Sequence, residues 1–158
     1  MSSKSSQTAL SYLEGFKTLS PDVFLAFLAP TAIHRFAPTS FSPPKPMSTT
    51  AFGNHLIKLQ EVLEGFPVSP KEIFDSDEKG QVTIWATSQA RFKEECKDDG
   101  LSEEEWAYKG EYIFIFTLDE NRERIVDIVE FLDSKATERL RGLMARARKN
   151  LQVKEGLT

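Results

Sequence analysis

From Val82 to Leu132 the chain is dominated by three long runs of strand-forming residues, and no other feature limits its fold as much. The first is Val82-Thr-Ile-Trp-Ala-Thr-Ser-Gln-Ala-Arg-Phe92. The second reaches from Trp106 to Leu118 and the third from Ile125 to Leu132, with Asp119-Glu-Asn-Arg122 as the hairpin turn between them. Ile73-Phe74, ahead of the turn-rich Asp75-Ser-Asp-Glu-Lys-Gly80, adds a further strand. Strands of this length twist. A meander of them must curl around whatever covers its apolar face.

That cover comes from helices. Ala9, Leu13 and Phe16 recur at helical spacing behind a polar tail over residues 1–6. Ser20-Pro21-Asp22 supplies an N-cap, a proline at the first helical position and an acid in the first turn. The helix it starts carries Val23, Phe24, Phe27 and Leu28 and is expected to end at Pro30, before a short strand over residues 31–36. A Pro-rich loop follows over 38–47, then a helix from about Ser48 with Phe52, Leu56, Leu59 and Leu63 along one face. Asp133-Ser134 caps a last helix over 134–150, with Leu140, Leu143, Met144 and Ala147 inward. The order predicts an α+β fold, a cone-shaped, curved, mixed or antiparallel sheet wrapped around N-terminal helices. The mouth of such a cone is where a ligand should bind.

The chain of 158 residues reads as one domain, too short to divide at its Pro-rich loop. Its net charge of −4 argues against a nucleic-acid role, and no run is long and apolar enough for a membrane span. A single cysteine, Cys96, excludes an intramolecular disulfide and, with a start that lacks a signal-peptide core, points to the cytoplasm. The acids around Cys96 oppose a thiolate. With twelve Phe against three Tyr, two Trp and two His, the rings able to exchange a proton are few and stand out.

Four segments carry a resemblance: Tyr12-Leu-Glu-Gly-Phe-Lys-Thr-Leu-Ser20, Ala29-Pro-Thr-Ala-Ile-His-Arg-Phe36, Trp106-Ala-Tyr-Lys-Gly-Glu-Tyr-Ile-Phe-Ile-Phe116 and Arg124-Ile-Val-Asp-Ile-Val-Glu-Phe-Leu-Asp-Ser134. They resemble fungal SnoaL-like proteins of the nuclear-transport-factor-2-like superfamily, over residues 8–150. Within it the chain is similar to semipinacolase-type isomerases of indole alkaloid biosynthesis. The resemblance implies the cone fold. It also implies an arginine near the first strand, two tyrosines on the penultimate strand and a glutamate on the last, matched here by Arg35, Tyr108, Tyr112 and Glu130.

The residues themselves support part of this reading. Tyr108 and Tyr112 are four apart on one strand and share a face with Gly110, Phe114 and Phe116. They suit either a polar point in an apolar pocket or a tyrosine-bearing core. Glu130 shares its face with Ile128 and Leu132, where a carboxylate could serve as a general base; the plainer alternative is a surface ion pair. His34 and Arg35 are neighbours on one strand, so only one can face the pocket. Arg35 is preferred as a donor to a developing negative charge, and His34 is kept as a substrate-binding alternative. Phe52, Phe114 and Asp75 complete the expected substrate-binding set. His55 is set aside as structural or solvated. The acidic run from Glu94 to Glu105 reads as a solubilising loop, and Arg139, Arg141, Arg146, Arg148 and Lys149 as a solvated or acid-paired helix face.

Taken together, these residues suggest a cofactor-free isomerase or cyclase for a small, apolar natural product. The resemblance makes the reaction a semipinacol-type rearrangement of an oxidised indole alkaloid. The alternatives are a dehydratase or cyclase acting on a polyketide or terpenoid, or a non-catalytic binding or interaction module. No metal site is expected, since the histidines and acids lack ligand spacing. Outward residues such as Trp85, Ile113 and Ile115 predict a homodimer through the sheet.

Overall fold

The computed structural model describes residues 2–156. Helix α1 spans Lys4–Glu14, capped by Ser3, whose hydroxyl accepts from the Ser6 backbone N–H at 3.1 Å. The expected tail over 1–6 is therefore too long: Ser5 and Ser6 are buried in the first turn of α1. Ala9, Tyr12 and Leu13 face the core. Helix α2 is only Pro21–Leu25, and strand β1 begins already at Leu28 and runs to Ala37. The helix expected to reach Pro30 gives way because the chain from Leu28 pairs with the last strand. Pro30 sits where that pairing shifts register, between Leu28 and Ile33. A residue without an N–H is tolerated at such a break.

The short strand β2, Met47–Ser48, leads into helix α3, Thr49–Gln60, capped by Ser48. Strands β3 (Leu63–Gly65) and β6 (Arg91–Phe92) pair with each other. The main sheet comprises β4 (Val68–Ser76), β5 (Gln81–Gln89), β7 (Lys109–Leu118) and β8 (Ile125–Leu132) with β1 and β2. Its order is β2-β1-β8-β7-β5-β4, antiparallel throughout except for the parallel pair β1–β8, so the sheet is mixed. Irregularities at Pro70–Glu72 and at Thr117–Leu118 lie within long pairings, where such breaks bend a sheet.

One face of this sheet holds the core. Val82, Ile84 and Ala86 of β5, Phe114 and Phe116 of β7 and Ile128 of β8 are all buried. Tyr12, Phe16 and Phe24 pack onto that face edge-on to one another, with ring centroids 4.8–6.0 Å apart. Helix α4 is Glu103–Trp106, and α5 runs from Ser134 to Lys154 with Asp133 as its N-cap. The acidic stretch before α4 is not a free loop. Cys96 and Trp106 are buried, and Asp98 accepts two bonds from Arg146 of α5 and one from Asn150. Those donors hold the Asp98 carboxyl well below the usual carboxylate range. The basic face of α5 thus ties down the acidic stretch.

Candidate active site

Strand alternation decides which polar groups reach the interior. On β1, His34 and Phe36 point to the helix-covered face and Arg35 to the other. On β8, Ile128, Glu130 and Leu132 point inward and Asp127 outward. Arg35 therefore does not enter the site. Its guanidinium donates to Asp127 Oδ1 and Oδ2 at 3.1 and 2.7 Å on the exposed face of the sheet. Of the two neighbours, His34 is the one that is buried, 3% exposed, and it meets Glu130, 9% exposed.

The two side chains form a chain of contacts that starts on α1. Tyr12 Oη lies 3.4 Å from His34 Nδ1, and His34 Nε2 lies 2.9 Å from Glu130 Oε1. The His34 ring is stacked on both sides, on Phe36 and Phe52, at 4.6 and 4.8 Å. Burial and the nearby Glu130 charge push the Tyr12 phenol well above its ordinary range, so it keeps its hydrogen. A carboxylate only accepts, so Nε2 of His34 is the donor in its contact with Glu130. The carboxylate is held by one oxygen. Among the described residues, none bonds its other oxygen, Oε2.

Glu130 opens onto a cavity of about 180 Å³. Its walls come from Phe16 and Leu19 before α2, Phe36 of β1, Phe41 and Pro44 of the Pro-rich segment, Phe52, Leu56 and Leu59 of α3, and Leu140 and Met144 of α5. The polar groups on the wall are Glu130, Tyr112, His55, Thr137 and Arg141. Besides Glu130, which His34 holds, three of the five have protein partners. Tyr112 Oη is 2.7 Å from Ser88 Oγ, Thr137 donates to the Asp133 carbonyl, and Arg141 donates to the Phe41 and Ser42 carbonyls and covers the Phe41 ring.

Tyr108 precedes β7 and is buried, its ring stacked on Phe66 at 6.1 Å and its phenol brought close to that of Tyr112. Gly110 between them allows this, since a Cβ there would come within 2.5 Å of both phenol oxygens. Burial raises both phenols above their ordinary value, so both act as hydrogen-bonding groups in neutral form. Phe52 lines the cavity, whereas Phe114 is a core residue stacked on Phe116 at 5.7 Å. Asp75 lies away from the cavity. It is exposed and accepts hydrogen bonds from Ser3 and Ser6, fastening α1 to β4. Among the described residues, no group of three or more His, Cys, Asp or Glu could hold a metal ion, and no helix is long and apolar enough to cross a membrane.

The sequence reading missed two residues here. Tyr12 belongs to the apolar stripe of α1, and a tyrosine on such a stripe needs a partner for its hydroxyl. His55 is three residues after Phe52 and four before Leu59, which places it on the cavity face of α3. Burial lowers the His55 pKa from its ordinary 6.5, Glu130 opposes that shift, and His34, Lys58 and Arg148 add to it. The unfolded chain therefore binds more protons at this residue than the folded one between the lowered value and 6.5. Stability should fall as pH drops through that window. Urea midpoints at pH 7.5 and just below 6 should show this loss, smaller in His55→Gln; equal losses in both proteins would assign it elsewhere.

No protein-family model and no curated protein matches the sequence. Solved structures do. The pinacolase BvnE from Penicillium brevicompactum superposes with a TM-score of 0.77 at 18% identity, covering 92% of this chain and 96% of its own. PrhC from Penicillium brasilianum gives 0.76 at 13% identity, covering 95% of each chain. An LEH-like epoxide hydrolase from M. tuberculosis gives 0.65 at 15% identity, covering 94% of this chain and 93% of its own. Likeness at such identity establishes a shared fold, the nuclear-transport-factor-2-like one.

Proposed function

We propose that this chain is an isomerase or cyclase that rearranges a mostly apolar natural product by acid/base chemistry at Glu130. The observation that carries the reading is the state of that side chain. It is a buried carboxylate with one oxygen fixed by His34 and the other facing an aromatic cavity. Such a group is placed to take a proton from a ligand hydroxyl. A pinacolase among the solved structures with this fold supports the reaction class.

The specific reaction we propose is a semipinacol-type rearrangement of an oxidised indole alkaloid, a hydroxyindolenine. Glu130 takes the hydroxyl proton, and the oxygen's electron pair closes a carbonyl as the neighbouring carbon–carbon bond migrates to the imine carbon. The imine electrons move to nitrogen, which takes up a proton. The product is an isomer, so the reaction is redox-neutral and asks for no cofactor. Tyr112 borders the ligand, Tyr108 positions Tyr112, and the Phe walls exclude water and hold one conformer. Arg35, bound to Asp127 outside, has no part. At about 180 Å³ the cavity is smaller than the roughly 300–1,000 Å³ of drug-sized ligand sites. A whole alkaloid therefore requires the cavity to widen.

Stereochemistry tests the proposal. A hydroxyindolenine incubated with the wild type or with Arg35→Ala should give one stereoisomer in the same excess over the spontaneous mixture. The spontaneous ratio in the presence of wild type would refute it. Two histidines, buried His34 bonded to Glu130 and half-buried His55 on the cavity wall, favour a second reading, dehydration or cyclisation of a polyketide or terpenoid in the same cavity.

The outer face of the sheet supports a homodimer in the same proposal. Phe131 and Phe74 are 48% and 52% exposed there, and Ile115 is exposed beside them. Trp85, Ile113 and Phe131 lie in one cross-strand row. An apolar face of this extent is best covered by a second copy. Light scattering at micromolar concentration should give a dimer for the wild type and a monomer for Phe131→Asp; a monomeric wild type would contradict the pairing.

A further inference from the structure

His55 is a polar group that the chemistry above leaves unused. It sits half-buried on α3 in an otherwise apolar stretch of cavity wall, between Phe52 and Leu59. Among the described residues, none bonds either of its ring nitrogens. A neutral imidazole offers one donor and one acceptor, and burial keeps this ring neutral near pH 7. The charged and titratable groups acting on it are Glu130 of β8, His34 of β1, Lys58 of α3 and Arg148 of α5.

The other hydrogen carriers on the wall already bond protein groups. Thr137 and Arg141 donate to backbone carbonyls, and Tyr112 is paired with Ser88. Glu130 as a carboxylate only accepts. A ligand with a single polar group on Glu130 would leave the imidazole facing apolar surface with its hydrogen-bonding capacity unmet, which is unfavourable.

We infer that His55 is the second polar anchor of the site, its ring N–H donating to an acceptor on the ligand while Glu130 accepts from a ligand hydroxyl. Resting on the function proposed above, this makes the substrate an apolar ring system with a hydroxyl and a separate hydrogen-bond acceptor, such as an imine nitrogen. His55 then selects among ligands of equal shape. Sites built to hydrogen-bond a ligand group discriminate strongly against analogues that lack it.

The test uses two probes of the same shape, a hydroxyindolenine and the matching hydroxyindene, in which carbon replaces the imine nitrogen. Calorimetry should show the wild type binding the hydroxyindolenine about tenfold or more tightly than the hydroxyindene. His55→Leu should lose that preference while binding the hydroxyindene as the wild type does. His55→Gln, which keeps a donor, should retain part of it. Equal loss for both probes in His55→Leu would make the residue structural, and an unchanged preference would remove it from recognition; either result overturns the inference. Glu130→Gln should weaken both probes alike, because both carry the hydroxyl. If it weakens neither, the proposed function fails while the His55 result still stands. No binding of either probe to the wild type would overturn both.

Discussion

Glu130→Gln is expected to slow the rearrangement of a hydroxyindolenine by about 10²–10⁴-fold, the usual contribution of a positioned general base. The amide has the shape of the carboxylate and its oxygen can still accept from His34 Nε2–H at the 2.9 Å seen for Glu130. What it cannot do is take a proton. Because a buried charge is removed while its hydrogen bond is kept, the urea midpoint should stay level or rise. Arg35→Ala is the matched control on the outer face and should leave the rate within about twofold, given that exposed pairs contribute little. Initial rates and unfolding curves on the same preparations check both points. A Glu130→Gln protein as active as wild type would remove the carboxylate from the chemistry.

His34→Leu should have the largest effect on stability, a loss of about 2–4 kcal/mol by urea unfolding. The substitution keeps the bulk that fills the space between Phe36 and Phe52. It strips Glu130 of its one protein donor and the Tyr12 hydroxyl of its partner, leaving a buried charge and a buried phenol unpaired. The rate should fall as well, because the carboxylate is then free to turn away from the cavity. Tyr12→Phe should cost less, about 0.5–1.5 kcal/mol, since it removes only the long outer contact. A midpoint for His34→Leu at or above that of the wild type would mean that the buried pair does not hold Glu130.

Much of this arrangement is legible in the sequence. Period-two spacing alone puts Tyr112, Phe114 and Phe116 on one face of β7, and Glu130 with Ile128 and Leu132 on one face of β8, whereas Tyr108, expected on the strand of Tyr112, lies just before β7 begins at Lys109. The inward face of α5 followed from Leu140, Leu143 and Met144. The choice between His34 and Arg35 was not legible. Alternation says that they oppose each other, but the face each takes depends on how β1 pairs with β8, where Arg35 lies opposite Val129 on the outer surface. Nor does any local pattern give that pairing, which is parallel and joins segments nearly a hundred residues apart. Pro30 misled for a related reason: it reads as a helix stop, yet it lies within a strand at a break in register. Asp75 misled because its partners, Ser3 and Ser6, lie in a stretch that reads as a polar tail. His55 was readable from its helical spacing and was discounted on the general habits of histidine.

The central claim is that ligand chemistry takes place at the free oxygen of Glu130, inside the aromatic cavity. A crystal structure of Glu130→Gln with bound hydroxyindolenine tests it most directly. The account predicts the ring system between Phe52, Phe66 and Met144, with its hydroxyl about 2.6–3.2 Å from the side-chain nitrogen at position 130, which stands where the free carboxylate oxygen was. A ligand on the outer sheet beside Arg35 and Asp127, or one inside the cavity with its hydroxyl turned towards α5, would contradict it.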